Sequence, residues 1–391
     1  MKLGASAAAV PFLLLTACGP MGQASDSSAL RGSGGTYAQR NLVSDGFVPA
    51  EHTDANLVNG WGITRGPTTP WWVSNNGTGT STLYDGEGVA RTLVVSVIGA
   101  GGQPAAPTGT VFNGTTSFVV SSGGASAAAR FLFASEDGTL SGWNPGVPPP
   151  PTSTKTVVAV DNSGAGAIYK GLAIAVSSAG PRLYATNFHA GTVEVYDGAF
   201  APVSSPGAFV DPRLPADFAP FGIQAIGDSI YVAYAKQDDA KEDEVAGRGL
   251  GFVSAFDLDG RFLRRVASRG KLNAPWGLAM APAAGFGRFS GRLLVGNFGD
   301  GSIVGFRLDE DEPGDDDGGM DDGGDMEGGE GDGGAYLTGK GGPITIDGLW
   351  GIGFGNDSAA GPSTTLFFAA GPDDEHHGLF GRIDFAPPPA H

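Results

Sequence analysis

One cysteine, Cys18, stands in 391 residues, so no internal disulfide can staple the fold. No apolar run is long enough to span a bilayer as a helix; the stretch from Ala5 to Leu15 is too short. No Gly-x-Ser-x-Gly elbow and no phosphate-cradling glycine loop with its lysine occurs, which leaves nucleophilic acyl transfer and P-loop chemistry without their usual motifs. Cations are sparse: 23 Lys and Arg face 41 Asp and Glu, for a net charge of −18, and they are scattered, so a nucleic-acid partner is not expected.

The chain does carry a charged start at Lys2, a short apolar stretch, and then Leu15-Thr16-Ala17-Cys18. That order is expected of a secretory signal rather than a transmembrane helix. The tetrad resembles the bacterial lipobox, which implies a signal peptide over 1–18 and lipidation at Cys18. The expectation is a lipid-anchored protein of a bacterial cell envelope, on the outer membrane or cell surface. Residues 19–36 are small and polar, as in a flexible tether.

The negative charge is unevenly placed. Asp309 to Gly334 holds 13 acidic residues and 10 glycines and has no Lys or Arg, which leaves about −5 for the rest. Such a segment lacks the apolar side chains for a core and is expected to be a disordered acidic insert at 309–334. It has no EF-hand register, although diffuse Ca²⁺ binding is an open alternative.

A short X-Gly-X step recurs six times: Trp61-Gly62-Ile63, Thr108-Gly109-Thr110, Lys170-Gly171-Leu172, Phe221-Gly222-Ile223, Trp276-Gly277-Leu278 and Trp350-Gly351-Ile352. Successive glycines lie 47, 62, 51, 55 and 74 residues apart, and the last gap contains the acidic insert. A period near 50 copied six times predicts one β-meander repeated around an axis. The expected fold is all-β, a six-bladed β-propeller of four-stranded blades over 37–386. Within the unit, an apolar strand such as Arg292–Asn297 leads through a Gly/Asp turn into an alternating strand such as Ser302–Arg307. Asn to aromatic is nine residues in three units: Asn75 to Tyr84, Asn187 to Tyr196, Asn297 to Phe306. Fourth strands are expected at 92–97, 156–160, 208–210, 262–266 and 335–338. The sixth unit lacks one, so Tyr37 to Val43 is expected to supply it and close the ring.

These units resemble the NHL-type repeat of six-bladed propellers. Nearly everything from Tyr37 onward, apart from the acidic insert, resembles an uncharacterised family of secreted bacterial propellers. The stretches that carry the likeness are 41–45, 272–278, 295–303 and 371–381, the last reading Gly-Pro-Asp-Asp-Glu-His-His-Gly-Leu-Phe-Gly. The resemblance implies the fold and brings no established activity.

In a meander, first-strand starts and second-strand ends lie at one edge of each blade, so the X-Gly steps converge on one face. That face collects Trp61, Phe221, Trp276, Trp350, Asn75, Asn187, Asn297 and His189 as candidate ligand contacts. The aromatics are expected to pack between blades, with an aromatic-lined mouth as the alternative; the asparagines are expected to hold turns or neighbouring blades. Two long polar loops on the same face supply Asp238, Asp239, Asp373, Asp374, His376 and His377, a possible O/N set for Ca²⁺ or another divalent cation. The competing reading is turn-stabilising, solvated side chains. The expected function is a monomeric binding module for a protein, peptide or glycan. The alternative is a metal-dependent lactonase-like hydrolase or lyase; the resemblance to such propellers implies Glu, Asn and Asp ligands, for which only the asparagines have counterparts.

Overall fold

The computed structural model describes residues 35–204, 206–308 and 334–388. The signal segment 1–18, Cys18, nearly all of the 19–36 tether and all but Gly334 of the 309–334 insert lie outside the described residues.

Six sheets make the propeller. Blade one is Gly60–Thr64, Trp71–Asn75, Thr80–Tyr84 and Val95–Ser96, an antiparallel meander. Blades two, four and five repeat it, beginning at Pro107–Phe112, Phe218–Ile226 and Pro275–Met280. Among the described residues helical structure is confined to short 3-10 turns. The ring closes as the repeat predicts. Thr36–Ser44 runs antiparallel to the last strand, Leu379–Ala386, with Tyr37 opposite Phe385 and Ser44 opposite Leu379. His52–Thr53 adds a short parallel strand outside it.

Blade three departs from the expectation. Its sheet has three strands, Tyr169–Ser177, Gly180–Asn187 and Thr192–Asp197, and residues 208–210 form no fourth. Pro202, Pro206 and Pro212 lack ladder donors. Phe209 adopts φ 56° and turns inward, onto Tyr184 (5.7 Å) and Phe256 (5.4 Å).

The core is divided by the same symmetry. Each pair of neighbouring blades shares one buried apolar cluster: Trp72, Phe131 and Trp143 between blades one and two, Tyr184, Ile230 and Phe252 between three and four, Trp71, Tyr84 and Phe367 between six and one. A seventh cluster sits on the axis and holds Trp61, Phe188, Phe221 and Trp350.

The X-Gly step has a physical cause in this geometry. In every blade the pairing of first and second strands is irregular at that step, which swings X toward the axis. A Cβ on Gly62, Gly171, Gly222, Gly277 or Gly351 would come within 3.0 Å of the carbonyl oxygen of the next blade's X residue, namely Thr108, Phe221, Trp276, Trp350 and Trp61. A Cβ on Gly109 would meet Gly171 and Leu172. Six inner strands approach backbone to backbone, and only glycine leaves room.

Candidate functional site

The four aromatic X residues do not wedge between neighbouring blades; they plug the axis. Trp61 stacks on Trp350 at 3.6 Å, and Phe298 stacks on the same indole at 3.9 Å. Trp276 meets Trp61 and Trp350 edge-on, and Phe221, itself packed on Phe188, meets Trp350. Trp61 and Trp350 are fully buried, whereas Trp276 and Phe298 keep part of their surface accessible.

The other two X residues are Thr108, which donates to Tyr169 O (2.7 Å), and Lys170. Lys170 is the one charged residue among the six, and 1% of its side chain is exposed. Its ammonium lies 5.3 Å from the Trp61 ring centre, donating to Glu136 Oε1 (2.5 Å) and Asp243 Oδ1 (2.9 Å). Glu136 follows the second strand of blade two, Asp243 comes from the long loop of blade four, and Glu375 from the last loop of blade six. Carboxylates thus arrive from alternate blades.

Hydrogen bonds join these groups across the axis. Asn76 donates to Glu136 Oε2 (2.8 Å), and Asn59 donates to Glu375 Oε2 (2.9 Å) and more weakly to Asn76 Oδ1 (3.4 Å). Trp350 Nε1 donates to Asn59 Oδ1 (3.0 Å), and Trp276 Nε1 to Lys170 O (3.0 Å). All six blades contribute to one network. The Trp61 indole N–H is buried without a hydrogen-bond partner among the described residues.

Electrostatics follow from burial. Desolvation and the nearby Glu136 carboxylate push Glu375 up to about 7, against the opposing pull of Lys170. Burial pushes Glu244, next to Asp243, up to about 8, with Lys170 again pulling it down. Burial opposes the charge on Lys170, but Glu136, Glu244 and Asp243 outweigh it and the ammonium is held charged, above its ordinary range. The loop that carries Glu375 is itself strained: Asp373, Asp374 and Glu375 take φ of 57°, 49° and 65° in succession. Non-glycine residues pay of order 1–3 kcal/mol each for such conformations, which cluster at functional sites.

The expected contacts are distributed differently. Asn75 bonds the Thr80 and Thr82 hydroxyls within its hairpin. Asn187 holds Glu194, Ile168 N and Ala190 N, and Asn297 holds Lys271 O, Ser302 and Asn273 N. All three are buried turn-holders. His189 keeps its Nδ1 buried, with no hydrogen-bond partner among the described residues. The candidate cation ligands do not converge. Asp238 accepts from backbone N–H groups of its own loop, with Asp239 beside it exposed. His377 pairs with Asp45 (2.6 Å) and stacks on Phe47, His376 bonds Asp373 O, and Asp374 is exposed. Among the described residues, no three Asp, Glu, His or Cys side chains gather as a metal requires. At the axis, where carboxylates do gather, Lys170 Nζ stands between them. The donor set there fits an ammonium and does not fit a divalent ion.

The residues that form the centre, Lys170, Glu136, Asp243, Glu244, Glu375, Asn59 and Asn76, are absent from the sequence-derived set. One signal pointed to them: Lys170 breaks an otherwise uncharged series at a position that every other unit turns toward the axis.

No family model matches the chain. A crystal structure of a protein of unknown function from Bacteroides thetaiotaomicron superposes with TM-score 0.52 at 9% identity, covering 89% of this chain and 76% of that one, which supports the propeller fold alone. Two uncharacterized proteins of Acanthamoeba polyphaga mimivirus are much more similar in sequence. One is 33% identical over 358 residues, 89% of this chain and 80% of its own length. The other is 36% identical over 275 residues, 68% of this chain and 71% of its own. These relatives correct two expectations. The likeness is to viral proteins and not to a secreted bacterial family, and the bacterial-envelope localisation drawn from the Leu-Thr-Ala-Cys tetrad is overturned with it. The chain is a member of the propeller family to which these two mimivirus proteins belong.

Proposed function

We propose that the Trp-Gly face is a binding surface for a cationic group, the ammonium or guanidinium of a basic protein or peptide side chain. One observation carries this reading: four carboxyl groups from blades two, four and six surround a single ammonium above an aromatic floor. Two of those carboxyls are pushed toward neutrality, first by burial and then by the neighbouring carboxylates, against the pull of Lys170. A second cation supplied by a ligand offsets the remaining negative charge, and the accessible parts of Trp276 and Phe298 offer it π-faces.

The test is calorimetric titration with a short peptide carrying one arginine, beside its citrulline counterpart, at pH 6 and pH 8.5. The carboxyls of Glu375 and Glu244 must ionise to serve the ligand, and their values are raised to about 7 and about 8. Affinity therefore rises with pH across that window, and Glu375→Gln weakens it. Equal binding of the citrulline peptide, or no gain between the two pH values, ends the proposal.

Proton-transfer chemistry at the same face is the second reading, because carboxyls poised near neutral pH beside a lysine suit general acid–base work. This keeps the hydrolase or lyase alternative without its metal. Turnover of a lactone by the wild type and not by Glu375→Gln supports it.

A further inference from the structure

At the opposite end of the axis the propeller is open. First-strand ends from all six blades line a cavity of about 430 Å³, with Arg65 of blade one and Gln224 of blade four, the third blade on from it, among the lining residues. The walls are mixed: Phe112, Ile174, Met280 and Phe354 give apolar surface beside Thr64, Thr110 and Gln224. Inward it shares Ile63, Thr110, Gln224, Leu278 and Ile352 with a chamber of about 30 Å³ that ends at Trp276, the underside of the aromatic plug. The channel is therefore a blind funnel of small-molecule size.

Arg65 gives the funnel its polarity. Its Nε donates to Phe354 O (2.6 Å), and its guanidinium lies 5.9 Å from the Trp71 ring centre. That is its only hydrogen bond among the described residues, and no carboxylate lies within salt-bridge distance of it. Burial acts against its charge, with Asp357 the one acidic group that opposes the effect. A half-buried guanidinium with free N–H donors at the rim of a funnel that also offers apolar surface is a receptor for a planar anion attached to an apolar body.

We propose that this mouth binds a compact amphipathic monocarboxylate, its apolar body in the funnel and its carboxylate on Arg65. The site shares no residue with the charged centre on the other face except Trp276 at the chamber floor. It stands or falls independently of the cation-binding reading.

Octanoate is a suitable probe and 1-octanol its uncharged counterpart, both titrated calorimetrically into the full chain. Octanoate is expected to bind saturably at one site, with octanol weaker by about tenfold or more, the usual worth of a charge-assisted hydrogen bond. Arg65→Gln is expected to remove that difference. Gln224→Glu changes an exposed side chain that the fold does not need, so it reports on recognition even if Arg65→Gln fails to fold. It is expected to repel octanoate and leave octanol unchanged. Met280→Trp narrows the funnel and is expected to abolish both. Absence of saturable octanoate binding at millimolar concentration overturns the proposal. So does octanoate binding that neither Gln224→Glu nor Met280→Trp alters.

Discussion

Replacing Lys170 with methionine keeps the length and apolar stem of the side chain and removes only its ammonium. Glu136 and Asp243 then lose their cation, as do Glu244 and Glu375 behind them. Breaking a fully buried ion pair from one side costs about 3–5 kcal/mol. Here the carboxylates are less enclosed than the lysine: 27% of the Glu136 side chain and 72% of the Asp243 side chain are exposed. Solvent screening reduces the cost to about 2–3 kcal/mol at pH 8. For a domain of this size that lowers the melting temperature by about 3–4 °C.

The loss also depends on pH, with a definite sign. In the folded wild type Glu375 and Glu244 are raised to about 7 and about 8. The unfolded chain releases those protons first, so their contribution to stability is lost as pH rises from the ordinary carboxyl range through 7 and 8. Without Lys170 both values climb further, and the difference between variant and wild type widens with pH. Thermal unfolding at pH 5 and pH 8 checks this: a smaller loss is expected at pH 5 than at pH 8, because Glu375 and Glu244 contribute only at the higher pH. Lys170→Met/Glu244→Gln should recover part of the loss at pH 8 only. An equal loss at both pH values would show that Lys170 acts by packing, and the electrostatic argument would be wrong.

Gly222→Ala places a methyl group against Trp276 O and is expected to cost about 1–3 kcal/mol, as overpacking does. Gly164→Ala, where a Cβ meets nothing within 4 Å, should stay within about 0.5 kcal/mol by the same melting assay. A chain begun at Gly35 should melt cooperatively, whereas one begun at Asp45 should not. The latter lacks Tyr37, Leu42 and Val43 from two inter-blade clusters and bares the edge of Leu379–Ala386. Equal melting of the two truncations would refute closure by the N-terminal strand.

The architecture was legible because it rests on local, repeated constraints. Six glycines recur at the closest approach of inner strands, where no other residue fits, so steric necessity wrote the blade number into the spacing. Ring closure was legible for a related reason: the last unit is one strand short, and an unpaired edge must find a partner. The missing outer strand of blade three was less visible, because Ala208–Val210 has strand composition and only the surrounding prolines and the inward turn of Phe209 exclude it.

The candidate site was legible only as to its face. The sequence put the X-Gly steps and the long loops on one side, and they are there. Which loop residues reach the axis was decided by the tertiary structure. Asp373 and Asp374 were the conspicuous acids, yet three successive positive φ angles direct Glu375 toward the centre instead. Asp238 and Asp239 stay at the loop tip, while Asp243 and Glu244 reach Lys170. Glu136, Asp243 and Glu375 are more than a hundred residues apart in pairs, and no sequence period links them. Sequence by itself determined the repeat, its glycines and the closing strand, because those depend on neighbours in the chain or on one recurring contact. The charged centre was left to the fold, because closing six blades into a ring brings distant loops to one axis, where a single lysine finds the carboxylates that hold it charged.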